Sequence, residues 1–125
     1  MDMVNRRLPD SELEVMQAVW RCESPVSRKD IEAVLMPQHP MALTTLLTLL
    51  TRLGEKGFLR IEKAGRSSVY TPLVTEQAYL AGQSNRFFTK LCGGNLSTFA
   101  AALCEGGLTA EDLAELKKLL EEHAL

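Results

Sequence analysis

Along this chain the apolar positions recur mostly every three or four residues, which predicts helices. The densest stretch is Leu43–Thr71, LTTLLTLLTRLGEKGFLRIEKAGRSSVYT. Leu46, Leu49, Leu50 and Leu53 fall at i, i+3, i+4 and i+7, one face of a helix running from an N-cap at Thr44 to about Glu55. Thr45, Thr48, Thr51 and Arg52 form its other face. Gly54 and Gly57 weaken and then end it. The period then shortens to that of strands. Phe58–Lys63 and Ser67–Thr71 flank a three-residue turn, Ala64-Gly65-Arg66, and predict a β-hairpin with a basic tip. Phe58 and Ile61 cannot share a face at strict period two, so the first strand is expected to be bent or half-buried. Pro72 ends the second strand, because proline cannot donate to a ladder.

Two helices precede this stretch. Asp10–Arg21 carries a stripe of Leu13, Met16 and Trp20, with Val15 and Val19 beside it and Pro9 at its first turn. A second helix begins at an N-cap Ser27, with Asp30 in capping-box position and Val26 and Ile31 as a hydrophobic staple. It stops by Pro37, and the loop that follows is expected to expose His39. Three helices come after the hairpin. Thr75–Leu91 has Val74 and Tyr79 as a staple, Asn95–Glu105 is capped by Asn95, and the last is capped by Thr109 with Asp112 in capping-box position. Leu108 and Leu113 form its staple, and Leu113, Leu116 and Leu120 its stripe. Gly93-Gly94 and Gly106-Gly107 separate the three. Residues 1–7 are polar and aperiodic, and are expected to form an N-terminal arm.

Composition adds charge distribution to this picture. The net charge of −2 is close to neutral, but its halves differ. Residues 42–72 hold Arg52, Lys56, Arg60, Lys63 and Arg66 against Glu55 and Glu62. Residues 105–125 hold six carboxylates against Lys117 and Lys118. A basic footprint and an acidic tail point to two modules with different partners. The expected division is residues 1–73 and 74–125. The last three helices alone make a small core, which favours association with a second copy. Tyr79, Leu80, Phe87, Phe88, Leu91, Leu113, Leu116 and Leu120 are the candidates for that interface. The absence of an apolar leader or a long apolar run predicts a cytoplasmic protein that does not enter the membrane.

Catalytic chemistry is not legible. The two histidines, His39 and His123, and the three cysteines, Cys22, Cys92 and Cys104, make no triad, Cys-x-x-Cys or metal-ligand spacing. The paired glycines break helices and do not follow a strand, so no phosphate loop is present. No enzyme activity, metal or cofactor is expected. Threonine is a mediocre helix former, so four of them in eight residues are not there for propensity. On its own such a face reads as solvated surface. Followed at once by a basic hairpin, it reads as a recognition helix and wing. The fold class is therefore mainly α with a small β-hairpin wing: a winged helix-turn-helix followed by a three-helix dimerisation domain.

The segments DSELEVMQAVW (Asp10–Trp20), Pro25-Val26-Ser27, TTLLTLLTRLGEKG (Thr44–Gly57) and GRSSVYTP (Gly65–Pro72) resemble the BlaI/MecI/CopY, or penicillinase repressor, family of winged-helix transcriptional repressors. The resemblance covers almost the whole chain and is most specific from Thr44 to Tyr70. It implies repression by a homodimer on a palindromic double-stranded DNA operator. It also implies that Thr44, Thr45, Thr48 and Arg52 meet DNA, with the wing around Arg66 on the backbone. An upstream sensor or protease is a further implied partner. Relatives that answer β-lactams are cleaved at an Asn-Phe bond in the second C-terminal helix; lining up Asn95-Leu96 and Glu105 places Ala102-Leu103 there instead. The copper-responsive branch carries Cys-x-Cys pairs near its C-terminus, whereas this sequence ends EEHAL. Pro9 stands where the family usually has a Ser N-cap.

The expected function is a dimeric repressor in which Thr45 and Thr48 read bases. Arg52, Lys56 and Arg66 hold phosphates, with Lys63 beside the tip. Two alternatives are a winged helix used only for protein contact and a thiol- or ligand-responsive sensor using Cys92 and Cys104.

Overall fold

The computed structural model describes residues 6–123, so most of the N-terminal arm lies outside the described residues. Chain compactness divides it into two units, Met1–Ser84 and Asn85–Leu125.

The first unit contains α1 (Asp10–Trp20), β1 (Val26–Ser27), α2 (Arg28–Leu35), α3 (Leu43–Glu55), β2 (Leu59–Ala64), β3 (Ser67–Pro72) and most of α4 (Glu76–Arg86). Its core joins Val15, Met16 and Val19 of α1, Ile31 and Leu35 of α2, the four-leucine face of α3, and Phe58, Leu59 and Tyr70 of the hairpin. The stripe of α1 is rotated from the expected one. Val15, Met16, Ala18 and Val19 are fully enclosed, while Leu13 and Trp20 lie at the margin. Trp20 is held at that margin because its indole Nε1 donates to the Val74 carbonyl at 2.9 Å. A polar handle of this kind places a tryptophan at the edge of a core.

The helix ends follow local chemistry. Ser27 and Asp30 form the capping box in full, with Asp30 N–H donating to Ser27 Oγ at 3.1 Å and Ser27 N–H to Asp30 Oδ2 at 3.2 Å. Pro9 is the N-cap of α1 and lies outside its first turn. At α3 the N-cap is Ala42, without a side-chain bond, and Thr44 is the second helical residue. The end of α3 is closed by backbone bonds. Phe58 N–H donates to the Leu53 carbonyl at 2.9 Å and Gly57 N–H to Gly54 at 3.1 Å, with Gly57 at φ 83°. This is a Schellman motif, and its apolar partners Leu53 and Phe58 are both buried. Gly54 sits inside α3, where an added Cβ would meet Ile61 Cδ1 at 2.9 Å.

The wing is tighter than its sequence predicts. Ala64 pairs with Ser67, so the loop is the two residues Gly65-Arg66, with Gly65 at φ 67°. The strands are Leu59–Ala64 and Ser67–Pro72, in the sheet order β1-β3-β2, all antiparallel. β1 pairs Val26 with Tyr70 and Ser27 with Val69, which ties the cap of α2 to the wing. Phe58 is buried, Leu59 likewise, and Ile61 is exposed toward Gly54 of α3.

Thr75 Oγ1 accepts from Ala78 N–H and caps α4. Tyr79 belongs to the first unit's core, against the Trp20 and Phe58 rings at 5.8 Å each. Its hydroxyl accepts from Leu8 N–H at 3.0 Å. Tyr79 is therefore a core residue and is unavailable to an interface between copies. α4 stops at Arg86, and Phe87–Leu91 forms a π-helical turn where a continuous helix was expected. Gly93 and Gly94 follow with φ 63° and 73°.

The second unit contains that turn, α5 (Leu96–Glu105) and α6 (Ala110–His123). Asn95 caps α5 through Thr98 N–H, and Thr109 and Asp112 form the reciprocal box of α6. Phe87 and Phe88 both pack on Phe99, at 5.6 and 5.5 Å between ring centres. Among its described residues only Cys92 is buried; every residue of α5 and α6 keeps some exposure.

Candidate nucleic-acid interface

The outward face of α3 is built by default, because its leucines turn inward. Thr44, Thr45, Thr48, Thr51 and Arg52 are all exposed. Thr44, Thr45, Thr48 and Arg52 line one shallow surface depression together with Leu49. Thr48 Oγ1 donates to the Thr44 carbonyl and Thr51 Oγ1 to the Leu47 carbonyl, each at 2.9 Å.

On the other flank of α3 a groove of about 350 Å³ separates the start of α2 from the wing. Ser27, Arg28, Lys29, Leu47, Arg66, Ser67, Ser68 and Tyr70 line it. Arg28 and Lys29 were not singled out from the sequence, although their place directly after the Ser27 cap was a usable signal. They stand at a helix N-terminus, where the backbone dipole and free N–H groups favour anions. Arg28 also meets Glu32 at 3.1 Å. Burial pushes the Tyr70 phenol above its ordinary range, while the Arg28 charge and Ser68 pull it back.

The cations of the basic stretch divide into two groups. Lys56 is paired with Glu12 of α1, and both are largely enclosed. Arg60 is paired with Glu62 along β2 at 3.0 Å. Lys29, Arg52, Lys63 and Arg66 have no ion-pair partner among the described residues. Lys56, expected to hold a phosphate, is therefore a structural residue: its charge is neutralised inside the fold. Arg52, Lys63 and Arg66 stand exposed, on α3 and on the wing.

Other candidates take ordinary places. His39 is half-exposed, with Nδ1 3.4 Å from Glu14 Oε2. The Cys22 thiol is pushed up by burial and by the Asp30 carboxylate, so it stays protonated and a poor nucleophile. Cys92 is buried and Cys104 exposed. Among the described residues no three metal-binding side chains cluster, and no helix is long and apolar enough to cross a membrane.

Three helices with the third exposed, followed by a hairpin whose tip is cationic, define a winged helix-turn-helix of the DNA-binding class. The model of the penicillinase repressor family matches residues 8–122. The chain belongs to that family, which is one of transcriptional repressors and not of enzymes. It is 33% identical over 118 residues to the penicillinase repressor of Bacillus licheniformis, covering 94% of this chain and 91% of that protein. It is 28% identical over 123 residues to the methicillin resistance regulatory protein MecI of Staphylococcus aureus (strain N315), covering 98% and 99%. The solution structure of monomeric B. licheniformis BlaI with the blaP half-operator is 35% identical, with a TM-score of 0.49, covering 59% of this chain and 89% of that one.

Proposed function

We propose that this protein is a cytoplasmic homodimeric repressor that binds a palindromic double-stranded operator and blocks transcription from it. α3 enters the major groove, where Thr45 and Thr48 meet base edges and Thr44 lies at the groove wall. Arg52, Lys63 and Arg66 hold phosphates, joined by Lys29 and Arg28 at the start of α2. The observation that carries this reading is the unpaired charge: the cations of this surface without an internal partner flank the exposed face of α3.

Dimerisation is assigned to the second unit, through Phe87, Phe88, Leu91, Leu113, Leu116 and Leu120, with Leu80 on the first unit's part of α4 as a further candidate. Leu80, Leu91 and Leu120 are more than half exposed, and Leu113, Leu116 and Leu120 line one apolar depression on α6. A unit this short with almost nothing fully enclosed gains its core by pairing. The dimer then presents two recognition helices to half-sites one helical turn, or a multiple of it, apart. An upstream sensor or protease would release the repressor. Ala102 and Leu103, at the aligned cleavage position, are half-buried within α5, so cutting there requires that helix to open.

The test is fluorescence anisotropy against a duplex selected by the purified protein from its own genomic DNA. Log affinity should fall linearly with log salt, at close to one unit per phosphate contact. Binding that ignores both sequence and salt would overturn the proposal in favour of a protein-contact module.

A further inference from the structure

The exposed arc of α3 offers fewer hydrogen-bond donors than its threonines imply. A hydroxyl has one proton, and those of Thr48 and Thr51 are directed to the carbonyls of Thr44 and Leu47. Each of these side chains presents a methyl group and acceptor lone pairs to anything outside the helix. Beside them, at i and i+4, stand Leu43 and Leu47, 44% and 39% exposed. Neither leucine belongs to the buried hydrophobic core.

A single exposed leucine is ordinary on a protein surface. Leu47 differs in its position. It forms part of the wall of the groove bounded by Arg28 and Lys29 on one side and Arg66 on the other. Cations on both sides of an alkyl group place it over the strip of duplex between the phosphates they would hold. In the major groove the feature an alkyl group reads is the C5 methyl of a pyrimidine; the other base-edge features there are hydrogen-bond donors and acceptors.

We propose that Leu47, supported by the methyl of Thr48, is a specificity-determining residue that packs on a pyrimidine C5 methyl: thymine in unmodified DNA, 5-methylcytosine where the base is methylated. The inference rests on α3 being the recognition helix. Its content is that base reading at this position is apolar, with hydrogen-bonded reading left to Thr45 and the neighbouring Thr44. Neither hydroxyl has a bond among the described residues.

The experiment uses the full chain and a duplex enriched from a randomised pool. Each thymine of the enriched duplex is replaced singly by uracil, which keeps the base pair and removes the methyl. At one position per half-site the replacement should weaken binding about threefold to tenfold. Leu47→Ala should weaken the thymine duplex by a similar factor and be indifferent to uracil at that position. Thr48→Val, which keeps the methyl, should retain the methyl sensitivity, and Thr48→Ser should lose part of it. Cytosine placed there should bind weakly and 5-methylcytosine should recover part of the loss; recovery equal to thymine identifies the methyl group itself as the ligand. An enriched duplex in which no uracil matters, or a Leu47→Ala variant as sensitive to uracil as the parent, overturns the inference while leaving DNA binding intact. Failure to enrich any sequence overturns the recognition-helix reading itself.

Discussion

Lys56 Nζ donates to Glu12 Oε1, joining the end of α3 to the first turn of α1 across 44 residues of chain. Glu12 is 3% exposed, among the most enclosed residues of the protein. A charge in that position is stable only while its partner is present.

Lys56→Ala should therefore lower stability by about 3–5 kcal/mol, since it leaves an uncompensated buried carboxylate. Replacing the pair together, by Glu12→Leu with Lys56→Met, should recover most of that loss. Urea unfolding of the three variants measures it. The salt dependence of DNA binding should not change in the folded double variant. A reduced salt slope there would return Lys56 to the phosphate-binding set.

Arg66 and Thr45 should fail in different ways. Arg66→Ala removes a phosphate contact, so binding weakens on every sequence and the salt slope drops by about one. Thr45→Ala should relax preference at one base position by about 1–3 kcal/mol and leave the slope unchanged. Titrations at several salt concentrations, on selected and scrambled duplexes, separate the two.

Gly65 holds a left-handed backbone angle, φ 67°, at the first place of the wing loop. Gly65→Ala meets no atom within 4 Å, so its cost is purely conformational. That cost should be about 1–2 kcal/mol, read as a lower Tm.

Leu120 is 60% exposed on α6. Leu120→Glu in the full chain should break the proposed dimer into monomers, read by light scattering, and weaken operator binding. A dimer that persists through Leu120→Glu combined with Leu116→Glu would place the interface elsewhere.

Asp112 responds to pH. Hydrogen bonds from Thr109, backbone first and hydroxyl second, hold its carboxyl below its ordinary value of 3.8. A depressed folded value means its stabilisation is complete above the ordinary value and is lost as pH falls through the lowered one. Helicity measured by circular dichroism should decline on that acid limb, and Asp112→Asn should remove the group's share of the decline.

Much of the fold was legible because local rules decide it. The four leucines of α3 can face only one way, and Ser27-Asp30 and Thr109-Asp112 cap by chemistry that needs no tertiary partner. What the sequence hid depends on contacts distant along the chain. Nothing near Lys56 announces Glu12, so the lysine read as one more surface cation. Tyr79 read as one of an apolar series with Phe87 and Phe88, but a hydrogen bond to Leu8 commits it to a different core. The π-helical turn at Phe87–Leu91 likewise has no short-range signature, because the two phenylalanines it carries pack on Phe99 of another helix. At the candidate site, α3 and the wing were foreseen. Arg28 and Lys29 were missed because their groove exists only once β1 brings the α2 cap beside β3.

That two-residue strand has a mechanical consequence. Ser27 is at once the cap of α2 and a rung of the sheet whose far end is the wing tip. The backbones that carry Lys29 and Arg66, the proposed phosphate contacts, are thus tied to one sheet, which sets the span between them. In the proposed complex, a duplex whose groove geometry matches that span would bind with little distortion, and others would have to bend or twist to fit. Sequence outside the contacted bases should then count, through the stiffness of the DNA itself.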